Sequence, residues 1–219
     1  MTGVLLVLFE LVRIALRLAV VWMALRFAWL GLRALRPGGS SVPAPSDGAA
    51  PARVLVQLPL RNEFHVAERI VRAACALEHP REFLEIQVLD DSDDATRGRL
   101  ERLVAKLQAQ GQPITLLARE RPVGFKAGAL NAGLRRSSAP LVAIFDADNL
   151  PAPDFLRRTL PFFQDPAVGF VQARWSFVNR SASLLTRLQA LVLDGLFAVS
   201  QHVQSRAGGP VTFNGTAGV

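Results

Sequence analysis

Asp146 and Asp148 sit in the segment VAIFDADNLP, where an apolar run gives way to a turn. Two carboxylates one residue apart can converge there on one hard divalent cation. Mg²⁺ and Mn²⁺ take oxygen ligands and commonly leave part of their shell to water and phosphate. The bland alternative is a loop in which one Asp caps a helix starting near Pro153. A second acidic cluster, Asp90-Asp91 in EIQVLDDSDD, ends another apolar run and tips the balance toward chemistry. A carboxylate at that point can accept hydrogen bonds from a nucleobase or ribose. We assign Asp91 to that role and leave Asp93 and Asp94 to the start of the next helix, where negative charge is favoured.

Lys126 is one of only two lysines and lies in RERPVGFKAGALNAGL between Gly124 and Gly128. Backbone amides at a helix start, beside a mobile cation, suit a phosphate. The alternative is an exposed lysine on a surface loop. Other chemistries lack their residues. There is no G-x-x-x-x-G-K-[ST] P-loop, no G-x-G-x-x-G and no G-x-S-x-G, and the three histidines are scattered. Cys75 and His79 stand four residues apart on a helix, but two ligands do not make a zinc site, and His65 is a helical turn or more away.

The elements that would position these residues alternate. The apolar run Val54–Leu58 reads as a buried strand, Leu84–Leu89, Ile114–Ala118 and Leu141–Phe145 read as further strands, and Val168–Phe177 reads as strand-like. Between them, helical periodicity covers 63–77, capped by Asn62, then 94–110, 127–136 and 153–163, with a long apolar helix over 184–203. Alternating strands and helices predict a mainly parallel sheet with helices on both faces. Ligands of such sheets bind beyond the carboxyl ends of the strands, where both acidic clusters fall.

The N-terminal 36 residues differ from the rest. Residues 3–35 are dominated by Leu, Val, Ala, Trp and Phe, long enough for a membrane span but interrupted by Glu10, Arg13, Arg17 and Arg26. We expect a membrane-anchoring helix over 1–36, in contact with lipid. Arg33, Arg36 and Arg53 follow the apolar run and predict a cytoplasmic location for what comes next. An interfacial helix is the alternative. A linker at 37–51, PGGSSVPAPSDGAAP, separates this helix from a domain at 52–219.

The 219 residues are 50% hydrophobic, enough for a real core, and a single cysteine excludes an internal disulfide framework. The net charge is +7, carried almost wholly by arginine. Residues 1–53 hold six Arg against Glu10 and Asp47, so the remaining 166 residues carry only +3. That is not the basic face of a nucleic-acid binder, and no nucleic-acid partner is expected.

Six segments in order, VQLPLRNE (56–63), IQVLDDSDD (86–94), GFKAGALNAGL (124–134), IFDAD (144–148), VQARW (171–175) and FNGTAG (213–218), resemble membrane-bound family 2 glycosyltransferases. The likeness is to the cellulose-synthase-like glucan and mannan synthases in particular, and it runs from about residue 52 to the last. It implies a GT-A fold, an α/β nucleotide-diphospho-sugar transferase with a mainly parallel sheet. The activity implied is inverting, metal-dependent transfer of a hexose from GDP-mannose or UDP-glucose to a growing β-glycan. On that pattern Pro59, Leu60 and Glu63 edge the nucleotide pocket and Asp91 faces the base. Lys126 contacts the diphosphate, and Asp146 and Asp148 hold Mg²⁺ or Mn²⁺ with the sugar nucleotide. Trp175, Asn214, Gly215 and Thr216 fall on the acceptor side.

One part of the pattern is missing. In the family the general base is the Asp of a T-E-D segment downstream of FNGTAG, with a Q-x-x-R-W motif after it. This sequence has neither, and Gln172-Ala173-Arg174-Trp175 has one residue too few between Gln and Arg. Asp194 lies inside an apolar helix and is not promoted to base. The resemblance therefore places the base beyond Val219 and makes the chain look like the front part of a larger synthase. The rival expectation is a remnant that binds nucleotide sugar without turnover.

Overall fold

A computed structural model describes residues 2–34, 51–206 and 212–219. The chain divides into two compact units, Ser41–Trp175 with Phe213–Val219, and Met1–Ser40 with Ser176–Thr212. The linker expected over 37–51 lies, except for Pro51, outside the described residues.

The first unit is built on four parallel strands, β1 (Val54–Leu60), β2 (Leu84–Asp90), β3 (Ile114–Ala118) and β4 (Leu141–Ile144), in the order β3-β2-β1-β4. The central strand β1 is almost entirely buried, as a mostly apolar run interrupted only by Gln57 suits a parallel strand covered on both faces. It runs through Pro59 to Leu60 rather than stopping at Leu58. Helices α2 (Ala67–Cys75) and α3 (Thr96–Ala109) pack their apolar stripes, including Ile70, Val71, Leu100 and Val104, into the core. Helix α4 (Phe125–Leu134) is seated by two buried glutamines of neighbouring strands. Gln57 donates to Gln87 Oε1 at 3.1 Å and to Leu130 O at 3.1 Å, while Gln87 donates to Gly133 O at 3.1 Å. A Cβ on Gly133 would stand 2.4 Å from Gln87 Oε1, so only glycine lets α4 approach this closely. The short helix α5 (Phe155–Thr159) follows β4 and continues as a 3₁₀ turn, Leu160–Gln164.

Three expectations need correction here. Asn62 does not cap α2, whose N-cap is Val66 with no side-chain cap; Asn62 takes a left-handed turn, φ 57°, and bonds Asp93 instead. Asp94 does bond the start of α3, accepting from Thr96 N at 2.8 Å, but Asp93 does not. Residues 168–177 form no strand. Among the described residues they bridge a three-residue segment, with Val171 and Val219 exchanging N–H···O bonds of 2.9 and 3.0 Å and Ala173 N donating to Ala217 O at 2.9 Å. A ladder that short leaves a single bridge at Gln172.

The second unit is helical. Helix α1 spans Thr2–Ala34, and α6 (Leu184–Gly195) continues through a π turn, Leu196–Gln201, into α7 (His202–Arg206). The single helix expected over 184–203 is therefore interrupted, and the break follows Gly195, in keeping with helix irregularities at glycine and π-bulges. Helix α1 packs on the π turn and α7, burying Leu30, Phe197 and Val203. Among the described residues no helix is long and apolar enough to cross a membrane. That corrects the expected membrane-spanning anchor: α1 has the length, but Glu10, Arg13, Arg17, Arg26 and Arg33 interrupt it.

Candidate functional site

The carboxyl end of β2 is an acidic corner whose charges are already organised. Asp90, fully buried, accepts from Ser92 N at 3.0 Å and from Arg97 Nε at 3.0 Å. Asp91 continues the sheet, its N–H donating to Leu60 O at 3.0 Å. Its carboxylate takes a bidentate pair from Arg119, at 2.7 Å to Oδ1 and 2.5 Å to Oδ2, with the side chains 7% and 17% exposed. The hydrogen bonds from Asp91 hold the Arg119 guanidinium still more firmly protonated than usual. The same arginine donates to Val123 O and Phe125 O, both at 3.0 Å, and so fastens the turn that opens α4. That turn is tight: Gly124 has φ 79°, and a Cβ on Gly128 would lie 2.0 Å from Val123 O. Asp94 is held below the usual carboxylate range by its bonds to Thr96.

The second corner is the end of β4. Lys126, in the first turn of α4, donates to Asp146 Oδ1 at 2.5 Å and to Gly215 O at 2.8 Å. Asp146 N donates to Thr216 Oγ1 at 2.9 Å. Four residues from three distant segments thus meet at one strand end. Asp148 is exposed beside them in sequence, with Asn149 Nδ2 donating to its Oδ1 at 3.3 Å. The loop 214–217 is held from behind by Gln172, which donates to Thr216 O at 3.0 Å and Ala217 O at 3.1 Å and accepts from Asn214 N at 2.9 Å.

Of the residues singled out in the sequence, Lys126, Asp146, Gly215 and Thr216 are brought into direct contact, and Asn214 joins them through Gln172. Leu60 is bonded to Asp91 through the backbone, and Pro59 precedes it in β1. Glu63 contributes its carbonyl to the start of α2, accepting from Val66 N and Ala67 N. Trp175 packs against the hydrophobic core. The roles of Arg119 and of Gln172 were not foreseen. Arg119 gave no local signal, because its partner lies 28 residues upstream. Gln172 was visible in the VQARW segment, with no structural role assigned to it. His79 bonds the Ala52 carbonyl across 2.9 Å.

Asp146 and Asp148 supply hard oxygen donors that suit Mg²⁺ or Mn²⁺. Two carboxylates cannot enclose a cation, and among the described residues no group of three His, Cys, Asp or Glu side chains converges on one point. The fit is to a cation that draws its remaining ligands from water and a bound diphosphate.

The parallel sheet, with both acidic corners at its carboxyl edge and a lysine at the helix start between them, defines an α/β protein of the GT-A type. Residues 56–206 match the family described as Glycosyl transferase family 2, and the chain belongs to that family. It is 47% identical over 171 residues to glucomannan 4-beta-mannosyltransferase 2 of Arabidopsis thaliana, covering 76% of this chain and 32% of the relative. It is 44% identical over 171 residues to glucomannan 4-beta-mannosyltransferase 1 of Oryza sativa subsp. japonica, covering 76% and 33%. The chain spans about a third of the length of these curated relatives. The fold resembles that of a mannosyltransferase from Pyrobaculum calidifontis, solved with GDP-Man and Mn²⁺, with a TM-score of 0.61, 24% identity and coverage of 89% of this chain and 56% of the other.

Proposed function

We propose that this chain is the donor-binding part of an inverting hexosyltransferase that moves mannose from GDP-mannose to a growing β-glycan. The observation that carries the reading is the convergence of Lys126, Asp146, Gly215 and Thr216 at the end of β4. A lysine beside an acidic strand end suits a diphosphate and its counter-cation, and the 214–217 loop in contact with it suits a second substrate. The names of the relatives, glucomannan 4-beta-mannosyltransferases, favour a mannosyl donor over UDP-glucose.

In this reading Asp91, oriented by Arg119, faces the base at the edge formed by Pro59, Leu60 and Glu63. Lys126 neutralises the diphosphate. Asp146 and Asp148 hold Mg²⁺ or Mn²⁺, which when bound offsets charge on the leaving diphosphate. Asn214, Gly215 and Thr216 border the acceptor, with Trp175 supporting that side from the core. No residue of this chain is proposed as the base that deprotonates the acceptor hydroxyl. We also place the chain on the cytoplasmic face of a membrane, with α1 lying at the surface as an interfacial helix through its exposed apolar residues.

Calorimetry with GDP and UDP, each with and without Mn²⁺, tests the donor site. Tighter binding of GDP than UDP, strengthened by Mn²⁺ and lost in Asp146→Asn, is the expected result. Equal affinity with and without the metal overturns its role.

A further inference from the structure

We propose that Phe125 is the stacking surface for the nucleobase of the donor, the ring on which the base lies while Asp91 holds its edge. The inference rests on the donor-binding reading above and adds to it the residue that makes the apolar contact with the base. Val123 and Phe125 are 79% and 75% exposed. Among the described residues of the α/β unit, no other large apolar side chain is more than half exposed. A single exposed apolar residue is ordinary on a protein surface. Here two of them flank Gly124 on the turn that opens α4, between the two acidic corners, where a ligand pocket needs apolar lining beside its few polar groups.

The backbone beneath the ring is held in an unusual shape. Phe125 has φ 50°, directly after Gly124 at φ 79°. The left-handed region is open to glycine but rare for a bulky side chain, and residues kept there collect at ligand clamps. Arg119 holds this shape, donating to the carbonyls of Val123 and Phe125, both at 3.0 Å. The nitrogen that bonds Phe125 O is also the one that bonds Asp91 Oδ2. The next residue, Lys126, has its ammonium on Asp146. Phe125 therefore stands between the carboxylate that faces the base and the lysine that faces the diphosphate. In a nucleoside diphosphate that interval is filled by base and ribose.

The chemistry of this corner leaves room for such a group. Both oxygens of Asp91 are already paired with Arg119, so its charge is compensated. It can orient the edge of a base by hydrogen bonding but offers no net charge to attract one. A nucleobase is planar and uncharged near neutral pH, and its faces gain most from contact with an aromatic ring. Leu60, the apolar residue of β1 bonded to Asp91, is 2% exposed and has no surface left to offer. The Phe125 ring is open. Stacking tolerates any base, so Phe125 contributes affinity and Asp91 supplies orientation.

The test uses the full chain and its Phe125→Gly, Phe125→Leu and Phe125→Trp variants. Calorimetry with GDP and with inorganic pyrophosphate, both in Mn²⁺, reads the two halves of the donor separately, because pyrophosphate carries no base. The expected result is that Phe125→Gly and Phe125→Leu each weaken GDP binding about 5- to 150-fold, the usual loss when a stacking ring is removed, and leave pyrophosphate binding within about twofold. Retained pyrophosphate binding shows that the site is folded. Phe125→Gly removes the strained φ together with the ring and Phe125→Leu removes the ring alone, so similar losses tie the effect to the ring. Phe125→Trp keeps GDP affinity, and its emission changes with GDP, beyond any change in the parent, but not with pyrophosphate. Unchanged GDP affinity in Phe125→Gly and Phe125→Leu overturns the stacking proposal and leaves the donor site standing. A loss confined to Phe125→Gly, or a parallel fall in GDP and pyrophosphate affinity, also overturns it, because Phe125 then only shapes the turn that carries Lys126. A parent chain that binds no nucleoside diphosphate overturns the donor-binding reading with it.

Discussion

Replacing Lys126 by alanine should move two affinities in opposite directions. In the ligand-free site the Lys126 ammonium sits on Asp146 Oδ1 at 2.5 Å, on the carboxylate proposed to take the cation. A metal ion arriving alone must therefore displace an internal counter-ion. The two side chains are 41% and 35% exposed, so solvent screens the pair. Such a pair is worth about 0.2–1 kcal/mol, and its removal should tighten Mn²⁺ binding in the absence of nucleotide by at most about fivefold. With a nucleoside diphosphate present, Lys126 is proposed to leave Asp146 for the phosphate. A hydrogen bond to a charged group contributes about 1.5–3 kcal/mol, so GDP binding in the presence of Mn²⁺ should weaken about 10- to 150-fold. Electron paramagnetic resonance of free Mn²⁺ reads the first change and calorimetry with GDP the second. The lysine is also bonded to Gly215 O at 2.8 Å, so its departure should loosen the 214–217 loop, visible as faster amide exchange there. A variant with weaker metal binding and unchanged GDP affinity would refute the reasoning, because it would make Lys126 a support of the metal site rather than a competitor for it.

Further outcomes follow from the packing and the charge state. Gly133→Ala should destabilise the α/β unit by about 1–3 kcal/mol, since the new methyl meets two buried amides, and urea unfolding checks this; a change below about 0.5 kcal/mol counts against the close approach of α4. Burial pushes the Cys75 thiol up from 9.0 to about 11, so near pH 8.5 its thiolate fraction should be roughly 75-fold lower, and its alkylation correspondingly slower, than for the same cysteine in urea-unfolded chain. Comparable rates would mean that the side chain is open to solvent. Glu68 is held below its ordinary 4.5 by hydrogen bonds from Arg99 and then Arg72. Its folded pKa is lowered, so its contribution to stability is complete above the unfolded value and is lost as pH falls through the folded one. Urea titrations near pH 5 and near pH 3 should therefore show Glu68→Gln losing less stability than the parent on acidification; equal losses would detach Glu68 from the α2–α3 pairing.

The strands and the chemistry at their ends were legible in the sequence because both depend on neighbours along the chain. A short β-branched apolar run such as Val54–Leu58, interrupted only by Gln57 and ended by Pro59, suits a covered strand, and Ile114–Ala118 appears in the structure with the bounds its residues suggest. The acidic pairs fall where those runs end, so a parallel sheet places them on one edge whatever the details of packing. The order of strands, β3-β2-β1-β4, and the pairing of particular side chains were decided by the tertiary structure. Asn62 had the composition of a helix cap but bonds Asp93, because the end of β2 brings that carboxylate within 2.8 Å of its side chain. Residues 168–177 had the pattern of a strand but, among the described residues, bridge a segment of three, and hydrogen bonds across strands require a partner that local pattern does not specify. Arg119 and Gln172 were silent for the same reason, since their partners lie 28 and 42 residues away. For α1, composition showed an apolar helix, but whether its surface would be covered depended on what folds against it. Local propensity and apolar period act over a few residues, whereas ion pairs, loop clamps and cover for exposed faces depend on segments that only the folded chain brings together.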